Sequence, residues 1–158
     1  MYNNFPNKKA YNPGGYREFL FLPDYSIETF PMILNGSAQV PVGLAPGATW
    51  FAGYSTPETL SFTEESKTDA NGTWYQQVIS GFAPGDKPEL VALMENLEKG
   101  RFLVMLRDSQ GIRRLVGTPY SPLELQSNFN SGDKRSDLKG FAFKFTGQSL
   151  FRAPVAAL

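Results

Sequence analysis

The sequence predicts a mainly β fold: an antiparallel β-sandwich or barrel of about seven or eight strands, with one amphipathic helix on a sheet face and extended terminal arms. Short apolar or alternating segments recur along the chain and are separated by turns rich in Gly and Pro. Only one segment, residues 86–99, has helical periodicity. The 158 residues, 41% hydrophobic and 19% charged, fit a single globular domain.

The chain begins with an irregular segment, residues 1–16, that is rich in Asn, Gly and Pro and also carries spaced aromatic residues. This turn-rich composition predicts an arm without regular structure. The aromatic residues leave two alternatives, packing on the parent domain or docking on a neighbouring subunit. They are Tyr2, Phe5, Tyr11 and Tyr16.

Strand-like segments follow the arm. Pro31 lies inside the second of them and predicts an edge strand or a break there, and residues 35–48 are predicted to form a Pro- and Gly-containing loop. The segments are 17–22, 25–34, 49–54, 59–66 and 73–82. The last two flank an Asn71-Gly72 turn signal, which predicts an antiparallel hairpin with a protruding tip.

Residues 86–99 are predicted to form the helix because their apolar positions repeat at i, i+3, i+4 and i+7. Asp86 and Glu89 resemble an N-cap and its capping-box partner. Pro88 suits the first turn, and Gly100 suits the position that ends the helix. The apolar stripe, which we expect to be core packing, is Leu90, Leu93, Met94 and Leu97.

A second hairpin is predicted after the helix, with strands at 101–106 and 112–117 and with Gly111 as its left-handed turn residue. The last strand, residues 140–147, alternates Phe with Ala, Lys and Thr, so it buries one face. Its buried side chains are predicted to be Phe141, Phe143 and Phe145. Between the second hairpin and the last strand, the sequence predicts a strand at 123–129 and a polar loop at 130–139.

These elements predict three parts: an N-terminal arm (1–16), a β-sandwich or barrel domain with one helix (17–147) and a C-terminal arm (148–158). The C-terminal arm is apolar and has no periodicity of its own, and we expect it to bridge subunits. The alternative is a tail that folds back on its own domain. The apolar residues of this arm are Leu150, Phe151, Val155 and Leu158.

The residue types that are missing exclude several kinds of chemistry. The chain contains no Cys and no His, so disulfides, thiolate or imidazole metal ligands and Ser-His-Asp or Cys-His arrangements are excluded. The formal net charge of zero gives no basis for nonspecific binding to DNA or to anionic membranes. Because the sequence shows no signal-peptide core and no run approaching the roughly 20 apolar residues that span a bilayer, we expect a soluble protein made in the cytoplasm.

Acidic residues in the first hairpin are the remaining candidates for catalysis or metal binding. Glu64, Glu65 and Asp69 could serve a carboxylate enzyme, but a solvated loop accounts for them more simply. Residues 69–72 resemble the start of a calcium loop and lack the ligand at its twelfth position. We therefore expect no enzymatic activity, no cofactor and no catalytic or metal-binding residue.

Three stretches carry a family resemblance: FLVMLRDSQG, then RRLVGTPYSPLEL, then FAFKFTG. Together with PGATWFAGYSTPETLSFTEE, they resemble a group of small virion structural proteins of tailed phages and prophages of Bacteroidetes-type bacteria. The resemblance covers about residues 47–147. It implies a component of the tail or of the head–tail connection. The order of strands and helix also resembles the tail-tube class, in which a β-sandwich with a flanking helix forms stacked rings.

This resemblance implies a homo-oligomer that forms rings, which can stack, and that contacts other virion proteins. It further implies passive contact with DNA in a lumen, no membrane partner, and location in the virion after synthesis in the bacterial host cytoplasm. Sheet edges, hairpin loops and the two arms are expected to form the subunit contacts. The interface hypothesis comprises Tyr2, Phe5, Tyr11, Tyr16, Glu64, Glu65, Lys67, Asp69, Leu150, Phe151, Arg152, Val155 and Leu158.

The alternative function is a monomeric carbohydrate- or receptor-binding β-sandwich module. Such a module would use exposed aromatic rings, and the candidates are Trp50, Trp74 and Tyr75. Adjacent residues of a regular strand point to opposite faces, so at most one of Trp74 and Tyr75 is expected to be exposed on a given face.

Overall fold

The computed structural model describes Tyr2, Asn4, Phe5 and residues 16–156, with residues 16 and 17 described by their backbone alone. Within this part of the chain the strands are β1 (Tyr16–Pro23), β2 (Ile27–Thr29), β3 (Ile33–Leu34), β4 (Ser37–Ala38), β5 (Gly43–Leu44), β6 (Phe51–Gly53), β7 (Ser61–Asp69), β8 (Gly72–Pro84), β9 (Arg101–Asp108), β10 (Arg113–Val116), β11 (Leu123–Asn130) and β12 (Gly140–Ser149). The helix α1 (Pro88–Leu97) lies between β8 and β9.

Eight of these strands form one antiparallel sheet in the order β6-β1-β9-β11-β12-β8-β7, with β10 also paired to β9. The predicted mainly β, antiparallel architecture with one helix is therefore confirmed. The hairpin β7–β8 turns at residues 70 and 71, and the hairpin β9–β10 turns through Gly111, whose φ is +85°. Both hairpins agree with the turn signals in the sequence.

The sheet is strongly rolled around its core. Strands β1 and β12 are separated by β9 and β11, so in a flat sheet they would lie about 14 Å apart. The ring of Phe19 on β1 is nevertheless 5.6 Å from that of Phe143 and 6.0 Å from that of Phe145 on β12. All three phenylalanines of the last strand are buried, as predicted, with Phe141 joining the same core.

Helix α1 covers this concave core with the predicted stripe of Leu90, Leu93, Met94 and Leu97. The predicted caps are wrong. Lys87, and not Asp86, occupies the N-cap position, and its side chain makes no capping hydrogen bond. The Asp86 carboxylate pairs with the Lys139 ammonium. Gly100 does not adopt the left-handed conformation. Its lack of a side chain is needed for another reason, since a Cβ there would collide with the Tyr2 hydroxyl.

The other face of the sheet is covered over β1, β9 and β10 by the segment between β1 and β6. The segment 25–34 does not form one continuous strand, because the extended chain breaks at Pro31, which is one of the two outcomes predicted for this proline. A short 3-10 turn and the small strand pairs β2–β5 and β3–β4 replace it. The second apolar cluster under this segment is Leu22, Val42, Leu103 and Leu115, with Phe30 and Trp50 packed against it.

Candidate assembly surface

Strands β11, β12, β8 and β7 leave their outer face uncovered by any described element, and we call this the open face. Its side chains alternate with the core residues of the same strands. Cross-strand rows of the open face are Gln126–Lys144–Ser80–Ser61, Glu124–Thr146–Val78–Thr63 and Gln148–Gln76–Glu65. The Ser61 and Ser80 hydroxyls are hydrogen-bonded at 2.8 Å. The open face is thus a polar surface that carries both charge signs.

The hairpin β7–β8 extends beyond the rest of the sheet. Strand β12 accompanies β8 only as far as Tyr75, so the last pairs of the hairpin are two-stranded, and residues 65–73 are exposed. The Lys67 ammonium lies 5.6 Å from the centre of the Trp74 ring. The Asp69 carboxylate accepts a hydrogen bond of 2.8 Å from the backbone N–H of Asn71 and closes the turn.

The two edge strands of the sheet, β6 at one end of the strand order and β7 at the other, differ in their backbone pairing. At one end, the N–H of Phe5 donates to the carbonyl of Ala52 at 2.7 Å, and the N–H of Ala52 donates to the Asn4 side chain at 2.8 Å. Strand β6 is therefore partly covered by the N-terminal residues. At the other end, no backbone group among the described residues pairs with the outer edge of β7, which is 9 residues long.

Glu64 does not belong to an exposed interface, and this part of the prediction is wrong. Its side chain is only 8% exposed and accepts hydrogen bonds from the Gln77 amide at 2.9 Å and from the N–H of Ala153 at 2.7 Å. Arg152 completes the site, with Nη1 at 3.2 Å from Glu64 Oε1 and its guanidinium 4.7 Å from the Tyr75 ring centre. Glu64 and Arg152 therefore fasten the C-terminal segment to its own hairpin.

Phe5 is likewise not available to a neighbouring subunit. It is 4% exposed, and its ring makes edge contacts with Phe19, Phe21 and Phe143 at centroid distances of 5.4, 5.8 and 5.8 Å. Two glycines leave room for these rings, since a Cβ at Gly53 would collide with Phe19 and one at Gly81 would lie 2.7 Å from Phe143. The predicted interface role of Phe5 is therefore wrong, and the alternative of packing on the parent domain describes it.

Tyr2 lies against the same core from outside. Its ring centre is 5.0 Å from that of Phe102, in an edge arrangement, and 6.5 Å from that of Tyr25. Burial raises the pKa of the Tyr2 phenol above its usual 10.0, and the neighbouring Tyr25 and Asp24 charges raise it further. Tyr2 is half-buried in contact with its own domain, so it is at most a partial contributor to a subunit contact.

The C-terminal segment is divided between exposed and buried residues. Leu150 and Phe151 are 72% and 65% exposed and remain candidates for a subunit contact. Beyond them the backbone enters a slot between β10 and β4. The N–H of Leu115 donates to the Pro154 carbonyl at 3.0 Å, and the N–H of Val155 donates to the Gly36 carbonyl at 2.8 Å. Val155 is thus held in place by its own domain while its side chain is 39% exposed.

Some predicted interface residues stay untested by the structure. Tyr11 and Leu158 lie outside the described residues. Tyr16 is described by its backbone, which pairs with Asp108 at the start of β1. Glu65, Lys67 and Asp69 are exposed on the hairpin, so the structure brings these three together on one protruding element.

Sequence reasoning did not single out three exposed aromatic residues, Tyr25, Tyr120 and Phe129. Tyr120 is 92% exposed at the tip of a turn in which Thr118 and Ser121 exchange backbone hydrogen bonds. The available signal was its position between Pro119 and Pro122 in a short connection.

Among the described residues, no group of three or more acidic side chains is placed to hold a metal ion. No helix in the described ranges has the length and apolar character needed to cross a bilayer. An open groove of about 680 Å³ lies beside Glu98, Ser127 and Lys144, where the Ser127 hydroxyl donates to the Glu98 carboxylate.

The chain matches no protein-family model, no curated protein and no solved structure at a significant level.

Proposed function

We propose that this chain is a non-enzymatic structural subunit that assembles with copies of itself, and that it serves as a tail-tube-like or head–tail connector component of a phage virion. The single observation that carries the self-assembly is the free edge of β7 on a protruding hairpin. The virion role is supported by the sequence resemblance over about residues 47–147.

A free strand edge favours association because its N–H and C=O groups are ready to pair with another strand. Small β proteins usually cover such edges. This chain does so on β6, through Asn4 and Phe5, and on β10, through residues 154–156. The edge of β7 remains open over all of its 9 residues, and among the other described strands of the main sheet β11 has a shorter one-sided stretch, beyond its pairing with β9 at Leu123 and Glu124.

A second contact is available beside the first. Leu150 and Phe151 immediately precede Arg152, which is bonded to Glu64 on the inner side of the same hairpin. Large apolar side chains that are mostly exposed gain free energy when a neighbour covers them, at about 25 cal/mol per Å² of apolar surface. A ring requires a head-to-tail contact between two different surfaces of each subunit, and this apolar pair is proposed to form one side of that contact, in addition to the contact made by the hairpin edge.

The open face is suited to contact with solvent or to passive contact with DNA. Lys67 and Lys144 lie on it with Glu65 and Glu124, so it presents no uniform positive potential. Tight, salt-sensitive DNA binding requires an excess of Lys and Arg toward the phosphates. If this face lines a lumen, DNA would slide past it without being held.

The aromatic rings that were predicted to serve a carbohydrate-binding module are engaged within the chain itself. Trp50 packs against the second apolar cluster, Lys67 lies over Trp74, and Arg152 lies over Tyr75. All three rings thus have partners within their own chain. The structure gives no specific observation in favour of this function, so we retain one proposal.

The proposal is tested by measuring the mass of the purified full-length chain by analytical ultracentrifugation over a concentration series and by imaging it in negative stain. We expect ring-shaped oligomers. Phe151→Ser combined with Leu150→Ser should shift the distribution toward smaller species. Tyr120→Ser, which removes a still more exposed ring elsewhere, is the control and should leave the distribution unchanged.

A monomer at every concentration would refute self-assembly. The virion role is tested separately, by labelling purified phage particles with an antibody against the chain. Labelling at the tail or at the head–tail junction is the expected result, and unlabelled particles would remove the virion role while leaving self-assembly in place.

A further inference from the structure

We propose that the outer edge of β7 pairs antiparallel with β7 of a second copy, about a two-fold axis that passes between the two Ser66 residues. The inference deepens the proposed function and rests on its self-assembly. It adds the identity of the partner strand, its direction and its register, none of which follows from the presence of an open edge alone.

The hairpin gives a second strand room to approach. Residues 65–73 are exposed, and three of the pairs toward the tip, 67–74, 68–73 and 69–72, belong to a two-stranded ribbon. Two-stranded ribbons are marginally stable in water, so added strands stabilise them. Joining two copies along β7 would turn two ribbons into one four-stranded region.

Charge selects the register. Antiparallel pairing keeps side chains of the same face opposite each other, and Glu65 and Lys67 both lie on the open face. With Ser66 on the axis, Glu65 faces Lys67 of the second copy, and symmetry repeats the pair. Opposite charges directly across a strand pair are favourable, which makes this register complementary at both positions.

The neighbouring registers are repulsive. With Glu65 on the axis, the two Glu65 carboxylates would face each other. With Lys67 on the axis, the two ammonium groups would face each other and Glu65 would face Asp69. Like charges directly opposite are destabilising, so the sequence of β7 disfavours both one-step shifts.

Charges on an edge strand can also serve to prevent pairing. The two roles differ in what a double charge swap does. A protective pattern depends on the presence of charge on the edge, whereas a pairing pattern depends on which sign faces which. The experiment therefore combines a cross-link that reports geometry with a swap that reports complementarity.

Cysteine placement tests the geometry, because the chain has no native Cys. Residues opposite each other in an antiparallel pair have Cα atoms about 4.5–5.5 Å apart, which a disulfide can bridge. Ser66→Cys should therefore form a disulfide-linked dimer under mild oxidation. Thr68→Cys is the control, since Thr68 is equally exposed on the same face of the strand while its two copies would lie at least about 13 Å apart.

Charge reversal tests the complementarity in the Ser66→Cys background. Glu65→Lys alone should slow the cross-linking at least tenfold, as should Lys67→Glu alone. The two together should restore the original rate, because the opposite charges face each other again. Circular dichroism and the melting temperature of each variant report whether the fold is kept.

Equal cross-linking of the Ser66 and Thr68 variants, or the absence of rescue by the double swap, would overturn the proposed β7–β7 pairing, which we call the seam. If that result is obtained while the unmodified chain still forms oligomers, the register is wrong and self-assembly stands. A chain that stays monomeric and fails to cross-link at Ser66 overturns both.

Discussion

Replacing Phe5 with Ala should destabilise the folded domain itself. The side chain is 4% exposed and contacts three other rings at centroid distances between 5.4 and 5.8 Å. Burial of a Phe side chain contributes about 2–3 kcal/mol, and truncation to Ala in a core typically costs about 3–5 kcal/mol once the cavity is included. For a domain of this size, the melting temperature should fall by roughly 6–20 °C.

The assay is denaturant unfolding of the full-length chain, followed by far-ultraviolet circular dichroism, with thermal melting as a second measure. Tyr120→Ala is the matched control, because Tyr120 is 92% exposed and lies outside the proposed subunit contacts, so its loss should change the free energy of unfolding by less than about 0.5 kcal/mol. If Phe5→Ala is no more destabilising than this control, the docking of the N-terminal residues in the core is refuted.

Two further predictions concern the fastening of the ends. Glu64→Gln should lower the free energy of unfolding by about 1.5–3 kcal/mol, because the hydrogen bonds from Arg152 and from the backbone lose a charged acceptor. The control is Glu95→Gln, on the exposed side of the helix and outside the proposed contacts, which should change it by less than about 0.5 kcal/mol when denaturant unfolding compares the two variants. The raised pKa of Tyr2 means that the folded state holds its proton longer than the unfolded state, so its contribution to stability is complete below pH 10.0 and is lost as the pH rises through the folded-state pKa. Unfolding measured across this alkaline range should show the decline, and Tyr2→Phe should reduce it.

The strand pattern could be predicted because burial leaves a readable trace in each strand. Strands β1 and β9 are apolar almost throughout, in REFLFL and RFLVML, and the structure covers both of their faces. Strands β8, β11 and β12 alternate instead, and their outer sides form the open face. Continuous and alternating runs thus distinguish two-sided from one-sided burial within a single antiparallel sheet.

The fate of the terminal segments could not be predicted from composition. An aromatic residue in an irregular arm needs a partner surface, and nothing local states whether that surface belongs to the same chain. Phe5 fits beside Phe19 and Phe143 because Gly53 and Gly81 leave space there, and these residues come together only when the sheet rolls. Such complementarity between distant positions is invisible to any window of sequence.

The wrong prediction that Glu64 belongs to an exposed interface has a different cause. Its neighbour Glu65 made the pair look like a charged tip, although alternation along a strand sends adjacent residues to opposite faces. That separation was available from the sequence. The partner was not, because Arg152 lies 88 residues away and reaches Glu64 only after β12 has paired with β8.

The symmetry of the proposed seam limits what an assembly of this chain can look like. Pairing of β7 with itself is isologous, so it closes after two copies and cannot build a ring. A ring then requires a second, head-to-tail contact, for which Leu150 and Phe151 are the exposed candidates. Combining one isologous and one head-to-tail contact in a closed assembly gives two rings related by two-fold axes. Particles should therefore contain an even number of chains, whereas Glu65→Lys should leave single rings of half that mass. Mass photometry of both proteins measures the two particle masses and so the number of chains in each. An odd number of chains in the unmodified particle would contradict the seam.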